Sequence, residues 1–232
     1  MRTFLFALLV LLAAPAGAAT RNFGIEGFDR VRVDGPFKVT LKTGVAPFAR
    51  ASGSASAIDG VAMDLQGRTL VVHVNRSTWG GYPGQAPGPV EVALGTHELS
   101  AAWLNGSGSL RIDQIKGLAF DLSVQGSGGT VIDRADVDQL RVNLFGNASA
   151  TVAGRAGTLS AVQRGITSLN AGGLTTKDAT IGAEGGSTTS AAVTNSAKVT
   201  ASGTATVTLT GAPACTVRAY GSASVSGCKS GQ

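Results

Sequence analysis

From about residue 100 onward, apolar residues return at every second position in short runs, and each run ends near a glycine. Counting back six, four and two positions from Gly126 gives Phe120, Leu122 and Val124. The same offsets give Leu140, Val142 and Leu144 before Gly146, and Ala179, Ile181 and Ala183 before Gly185. Before Gly221 they give Cys215, Val217 and Ala219. Alternation with a period of two buries one face of a β-strand. Four and six positions after the glycine a second short run follows: Leu110 and Ile112, Thr130 and Ile132, Ala150 and Val152, Val207 and Leu209. Each unit therefore reads as strand, tight turn, strand and return segment.

The turn glycines are Gly106, Gly126, Gly146, Gly165, Gly185, Gly203 and Gly221, spaced by 20, 20, 19, 20, 18 and 18 residues. A period of this length with no helical pattern inside it predicts a stack of rungs. The fold class is all-β, a right-handed parallel β-helix or β-solenoid with rungs of about 18–20 residues. Equivalent strands pair one rung apart, at about 4.8 Å. The glycines then form a column along one edge, where a Cβ would clash or φ is positive. The fourth and fifth units fit least well, because Gln163 falls at an inward offset and Gly186 competes with Gly185 for the turn. Inward side chains shrink along the stack, from Phe120 and Leu144 to Ala201 and Ala219, so the last rungs bury less apolar area.

Residues 28–98 are also β-like but less regular than residues 99–232, and together they are expected to form one domain over residues 20–232. Val31 and Val33, then Phe37, Val39 and Leu41, alternate within GFDRVRVDGPFKVTLKTG. A Gly/Pro loop at residues 76–89 interrupts the pattern. That opening, the later LVVHV, and PVEVAL…LSAAWLNGSGSLRI resemble the "putative autotransporter adhesin, head GIN domain" family of exported bacterial proteins. The resemblance runs from about Phe28 to Gly227 and implies a parallel β-helix. It carries no agreed catalytic residues.

At the N-terminus, Arg2, an apolar run from Phe4 to Ala14 and the small residues Gly17-Ala18-Ala19 have the parts of a secretory signal peptide over residues 1–19. The run is shorter than the roughly 20 residues a membrane span takes, and no later segment has that character. The chain is thus expected to be exported, to the periplasm or the cell surface of a Gram-negative bacterium. A formal net charge of +5 is spread without a Lys/Arg run or interleaved aromatics, which speaks against nucleic acid as a partner. Cys215 and Cys228 are the two cysteines, and in an oxidising compartment they are expected to form a structural disulfide.

Several residues are candidates for function. Asp113 and Asp133 each lie seven positions after a turn glycine, so they are expected on adjacent rungs. Paired carboxylates there could do the acid–base work of a polysaccharide lyase or hydrolase. Against this, the equivalent position in the next rung is Ala153, and Arg111 and Arg134 lie close in sequence. Trp79 and Tyr82 in the Gly/Pro loop, with Trp103, are candidates for ligand binding, since aromatic rings stack on sugars or anchor a partner. The opposing reading has Trp79 capping the core, with Trp103 packed beside it. His73 and His97 have no ligand-spaced neighbours, so no metal site and no cofactor is expected. The leading reading is a non-enzymatic adhesion or binding module whose partner is a glycan or an envelope or extracellular protein. A periplasmic structural protein without a dedicated ligand is the second reading.

Overall fold

The computed structural model describes residues 19–75 and 89–229. The apolar alternation becomes one continuous β-solenoid. From β10 (Ile115–Gly126) and β11 (Gly129–Gly146) through β12 (Ser149–Gly165), β13 (Ser168–Gly185) and β14 (Thr188–Gly203), each strand pairs in parallel with the next. The long strands bend at corners, so a rung has three successive stretches. For β11 against β12 these are residues 129–132, 135–137 and 139–146. Phe120, Leu122, Val124, Leu140, Val142, Leu144, Ala179, Ile181 and Ala183 are all buried, as the alternation requires.

The glycine column is present in register. Gly106, Gly126, Gly146, Gly165, Gly185, Gly203 and Gly221 pair in succession. All seven have positive φ, between 72° and 112°. A Cβ on Gly126 would stand 2.6 Å from the carbonyl oxygen of Gly106, so stacking and backbone conformation both demand glycine. Gly185, not Gly186, holds the turn. Gln163 does point inward and is fully buried, where its Oε1 accepts a hydrogen bond from Thr189 Oγ1 at 3.0 Å.

The N-terminal rungs do not stack in chain order. β2 (Arg30–Asp34) lies between β6 (Thr69–Val74) and β8 (Ala101–Gly106), parallel to both. β3 (Lys38–Thr43) lies likewise between β7 (Glu91–Thr96) and β9 (Ser109–Ile112). The first rung in sequence is thus sandwiched between two later ones. Beyond them the pairing turns antiparallel. β5 (Val61–Gln66) pairs with β6, β4 (Phe48–Gly53) with β7, and β1 (Ala19–Phe23) with β4. A one-and-a-half-turn helix, α1 (Ala55–Asp59), packs at this end with Ala57 and Ile58 buried. Its N-cap Ser54 accepts a hydrogen bond from the Ala57 N–H at 3.2 Å.

Among the described residues the other end has no such cover. β16 (Ala214–Gly221) pairs with β14, and β17 (Ser224–Ser226) pairs with β15 (Thr206–Thr210). Val217 and Ala219 were expected inside by their offset, yet both are exposed, because no further rung lies over them among the described residues. A disulfide joins Cys215 to Cys228, tying the start of β16 to the segment after β17. Residues 1–18 of the signal-peptide reading lie outside the described residues, while Ala19 begins β1. No helix among the described residues is long and apolar enough to cross a membrane.

Candidate functional site

Strand pairing between β6, β2 and β8 sets Val71, Arg32 and Trp103 in one outward-facing row. β5 adds Asp64 beside Val71. The adjacent outward row contains His73, Asp34 and Asn105. Trp103 is half-buried here, on the outer surface of the sheet. Val71 is 4% exposed although it points away from the core, which gives this face an apolar floor. Arg32, Gln66, Thr69, Val71, Trp103 and Asn105 line a shallow groove of about 340 Å³.

Hydrogen bonds fix the polar side chains. Arg32 donates to Asp34 Oδ2 from Nε at 2.8 Å, and Asn105 donates to Asp34 Oδ1 at 2.6 Å. Partial burial raises the Asp34 pKa, but the hydrogen bonds from Arg32 and Asn105 and the charge of Arg32 outweigh it, holding the carboxyl below its ordinary range. His73 Nε2 lies 2.6 Å from Asp64 Oδ2, and that bond raises the imidazole pKa above its ordinary value against the opposing effect of partial burial. The face therefore presents an indole beside a fixed guanidinium, a carboxylate and an amide. An aromatic ring flanked by planar polar groups can stack on an apolar sugar face while hydrogen-bonding its hydroxyls.

Residues 27–213 match the family model described as "Putative auto-transporter adhesin, head GIN domain". The chain belongs to this family. No curated protein matches the chain. Among solved structures, it is similar to a "putative adhesin" from Bacteroides fragilis, at 14% identity and a TM-score of 0.80, covering 90% of this chain and 95% of that one. It is also similar to a "putative lipid binding protein" from Parabacteroides distasonis, at 18% identity and a TM-score of 0.73, covering 91% and 96%. A "putative adhesin" from Parabacteroides merdae matches at 18% identity and a TM-score of 0.64, covering 91% and 96%. At these identities the likeness establishes the fold, which the head GIN domain shares across nearly the whole chain.

The remaining candidates occupy different places on this head GIN domain. Asp113 Oδ1 accepts hydrogen bonds from the backbone N–H groups of Thr43 at 3.0 Å and Gln114 at 2.7 Å. Asp133 is held by Arg111, whose Nη2 lies 2.8 Å from Oδ1. Both carboxylates are thus engaged within the fold, the first by backbone and the second by an ion pair. Trp79 and Tyr82 lie outside the described residues, so nothing here joins them to Trp103. Among the described residues no group of three or more His, Cys, Asp or Glu is placed to hold a metal ion. Sequence spacing gave no hint of Arg32, Asp34, Gln66 or Thr69 as neighbours of Trp103, because the interleaved N-terminal rungs bring them together.

Proposed function

We propose that this head GIN domain is an exported binding module of the bacterial envelope, and that its Trp103 face takes a saccharide. The observation that carries this reading is the half-buried indole that lines one groove with Val71, Arg32, Asn105, Gln66 and Thr69. The hydrogen bonds among Arg32, Asp34 and Asn105 hold these groups in place before a ligand arrives, which lowers the ordering cost of binding. Family membership supports adhesion as the role, and the Cys215–Cys228 disulfide supports export to an oxidising compartment. Surface display, rather than retention in the periplasm, belongs to the same proposal.

The test is sedimentation of the purified chain with insoluble envelope polysaccharides and matrix glycans, beside Trp103→Ala and Arg32→Ala. Trp103→Ala is expected to lose at least about tenfold in affinity, since aromatic anchors in binding faces contribute on the order of 2 kcal/mol. Its melting temperature is expected to stay close to the wild-type value. Binding that survives Trp103→Ala unchanged would move the site elsewhere on the solenoid.

A further inference from the structure

The two ends of the solenoid are built differently. At one, antiparallel strands β5, β4 and β1 and the helix α1 close the core. At the other, β16 pairs with β14 and β17 with β15, and among the described residues neither has a strand on its outer side. Val217 continues the inward column of Ile181 and Val199, which are 1% and 0% exposed, yet it is itself 42% exposed. Ala219 continues the column of Ala183 and Ala201 and is exposed as well. The Lys229 N–H bonds the Pro213 carbonyl at 3.0 Å just before β16, and the disulfide ties Cys228 to Cys215. From Thr216 onward, among the described residues, the outer backbone groups of β16 have no strand partner and run beside an apolar strip, which is a template for one more strand.

Charge narrows the occupant. After Glu184 the sequence has no Asp or Glu, while Lys198, Arg218 and Lys229 remain. Among the described residues the ion pairs stop at Arg164–Glu184, so these three cations have no carboxylate partner. Arg218 points outward on β16 between Val217 and Ala219, and Lys198 stands one rung below it beside Thr216. Two copies meeting through this end would bring like charges together.

We propose that the open rung is a docking edge for an extended acidic segment of another polypeptide. That segment adds a strand along β16, with apolar side chains over Val217 and Ala219 and acidic ones against Arg218 and Lys198. This edge is separate from the Trp103 face, which lies beside the capped end, so either site can fail without the other.

The test uses a fluorescein-labelled octapeptide alternating valine and glutamate, and its counterpart alternating valine and lysine, titrated with the full chain by fluorescence anisotropy. The glutamate peptide is expected to bind saturably and the lysine peptide not at all. Arg218→Glu is expected to weaken binding at least about tenfold, the usual scale for reversing a charge in an interface. Val217→Asp is expected to abolish it. Because both side chains are exposed, the melting temperature of each variant is expected to match the wild type. If Val217→Asp unfolds the last rung, Arg218→Glu alone decides. Absence of saturation with the glutamate peptide, equal binding of both peptides, or indifference to Arg218→Glu would overturn the proposal. Sedimentation velocity completes it. A dimer of the chain alone that Val217→Asp dissolves would assign the edge to a second copy and likewise overturn the acidic-strand occupant.

Discussion

Replacing Gly126 with alanine perturbs the feature on which the stack depends most. The added Cβ would lie 2.6 Å from the Gly106 carbonyl oxygen and 3.1 Å from the Gly106 Cα, both backbone atoms of the neighbouring rung. They cannot withdraw without opening the ladder. The residue also sits at φ +112°, where an L side chain costs about 1–3 kcal/mol. Overpacking adds about 1–3 kcal/mol, so the expected loss is near 4 kcal/mol. Two further glycines separate the contributions. Gly44 has φ +73° but nothing within 4 Å of a built Cβ, so Gly44→Ala isolates the backbone cost of about 1–2 kcal/mol. Gly182 has no positive φ, and its nearest neighbour is the Ala161 carbonyl oxygen at 3.9 Å. Gly182→Ala is therefore expected to be neutral or to stabilise by up to about 1 kcal/mol. In a domain of this size each kcal/mol moves the melting temperature by roughly 2–4 °C. Thermal melts followed by circular dichroism would then show Gly182→Ala at or above the wild type, Gly44→Ala a few degrees below it, and Gly126→Ala lower by about 10 °C or more. A Gly126→Ala melt as mild as that of Gly44→Ala would refute the claim that rung contact at this column decides stability.

Removing the disulfide with Cys215→Ser and Cys228→Ser releases a loop with a sequence separation of 13, worth about 3 kcal/mol in the chain-entropy model. Because β16 and β17 border only the last rungs, hydrogen exchange is expected to speed up there and stay slow in β10 to β13. Gln163 and Thr189 form a buried pair in which Gln163 Nε2 has no partner among the described residues. Thr189→Val alone is expected to cost about 1–3 kcal/mol by orphaning the Gln163 carbonyl, whereas Gln163→Leu with Thr189→Val is expected to be neutral or stabilising in urea titration. Since the His73 pKa is raised in the folded state, its bond to Asp64 stabilises fully below the ordinary histidine value and is lost as pH rises through the raised one. Asp34 is depressed, so its contribution holds above the ordinary carboxylate value and fades as pH falls through the lowered one. Comparing melts of His73→Asn and Asp34→Asn with the wild type across pH 3–9 reads both signs.

Much of the solenoid was legible because its signals are local. A turn glycine and its flanking alternation lie within about a dozen residues, and Phe120 to Val124 or Leu140 to Leu144 reveal their buried face without knowledge of any partner. What escaped is set by contacts distant in sequence. The insertion of β2 between β6 and β8 joins Arg30–Asp34 to strands about 40 and 70 residues away, and no short-range pattern encodes it. The same interleaving builds the Trp103 groove from four strands, β2, β5, β6 and β8, so its members looked unrelated. Val217 and Ala219 carry the inward pattern but not the burial, because periodicity records which way a side chain points and not whether another rung covers it. Gln163 broke the alternation in sequence yet kept its inward place, since Thr189, 26 residues on, supplies the hydrogen bond that burial requires.

The most direct test of the account is the indole N–H resonance of Trp103, assigned by its disappearance in Trp103→Phe and followed during titration with oligosaccharides released from the bacterial envelope and from host matrix. A saccharide-binding face predicts a saturable shift of this resonance and of backbone amides in β2, β6 and β8, with the β16 amides unmoved. Saturable binding that leaves the Trp103 indole and these strands unshifted would contradict it.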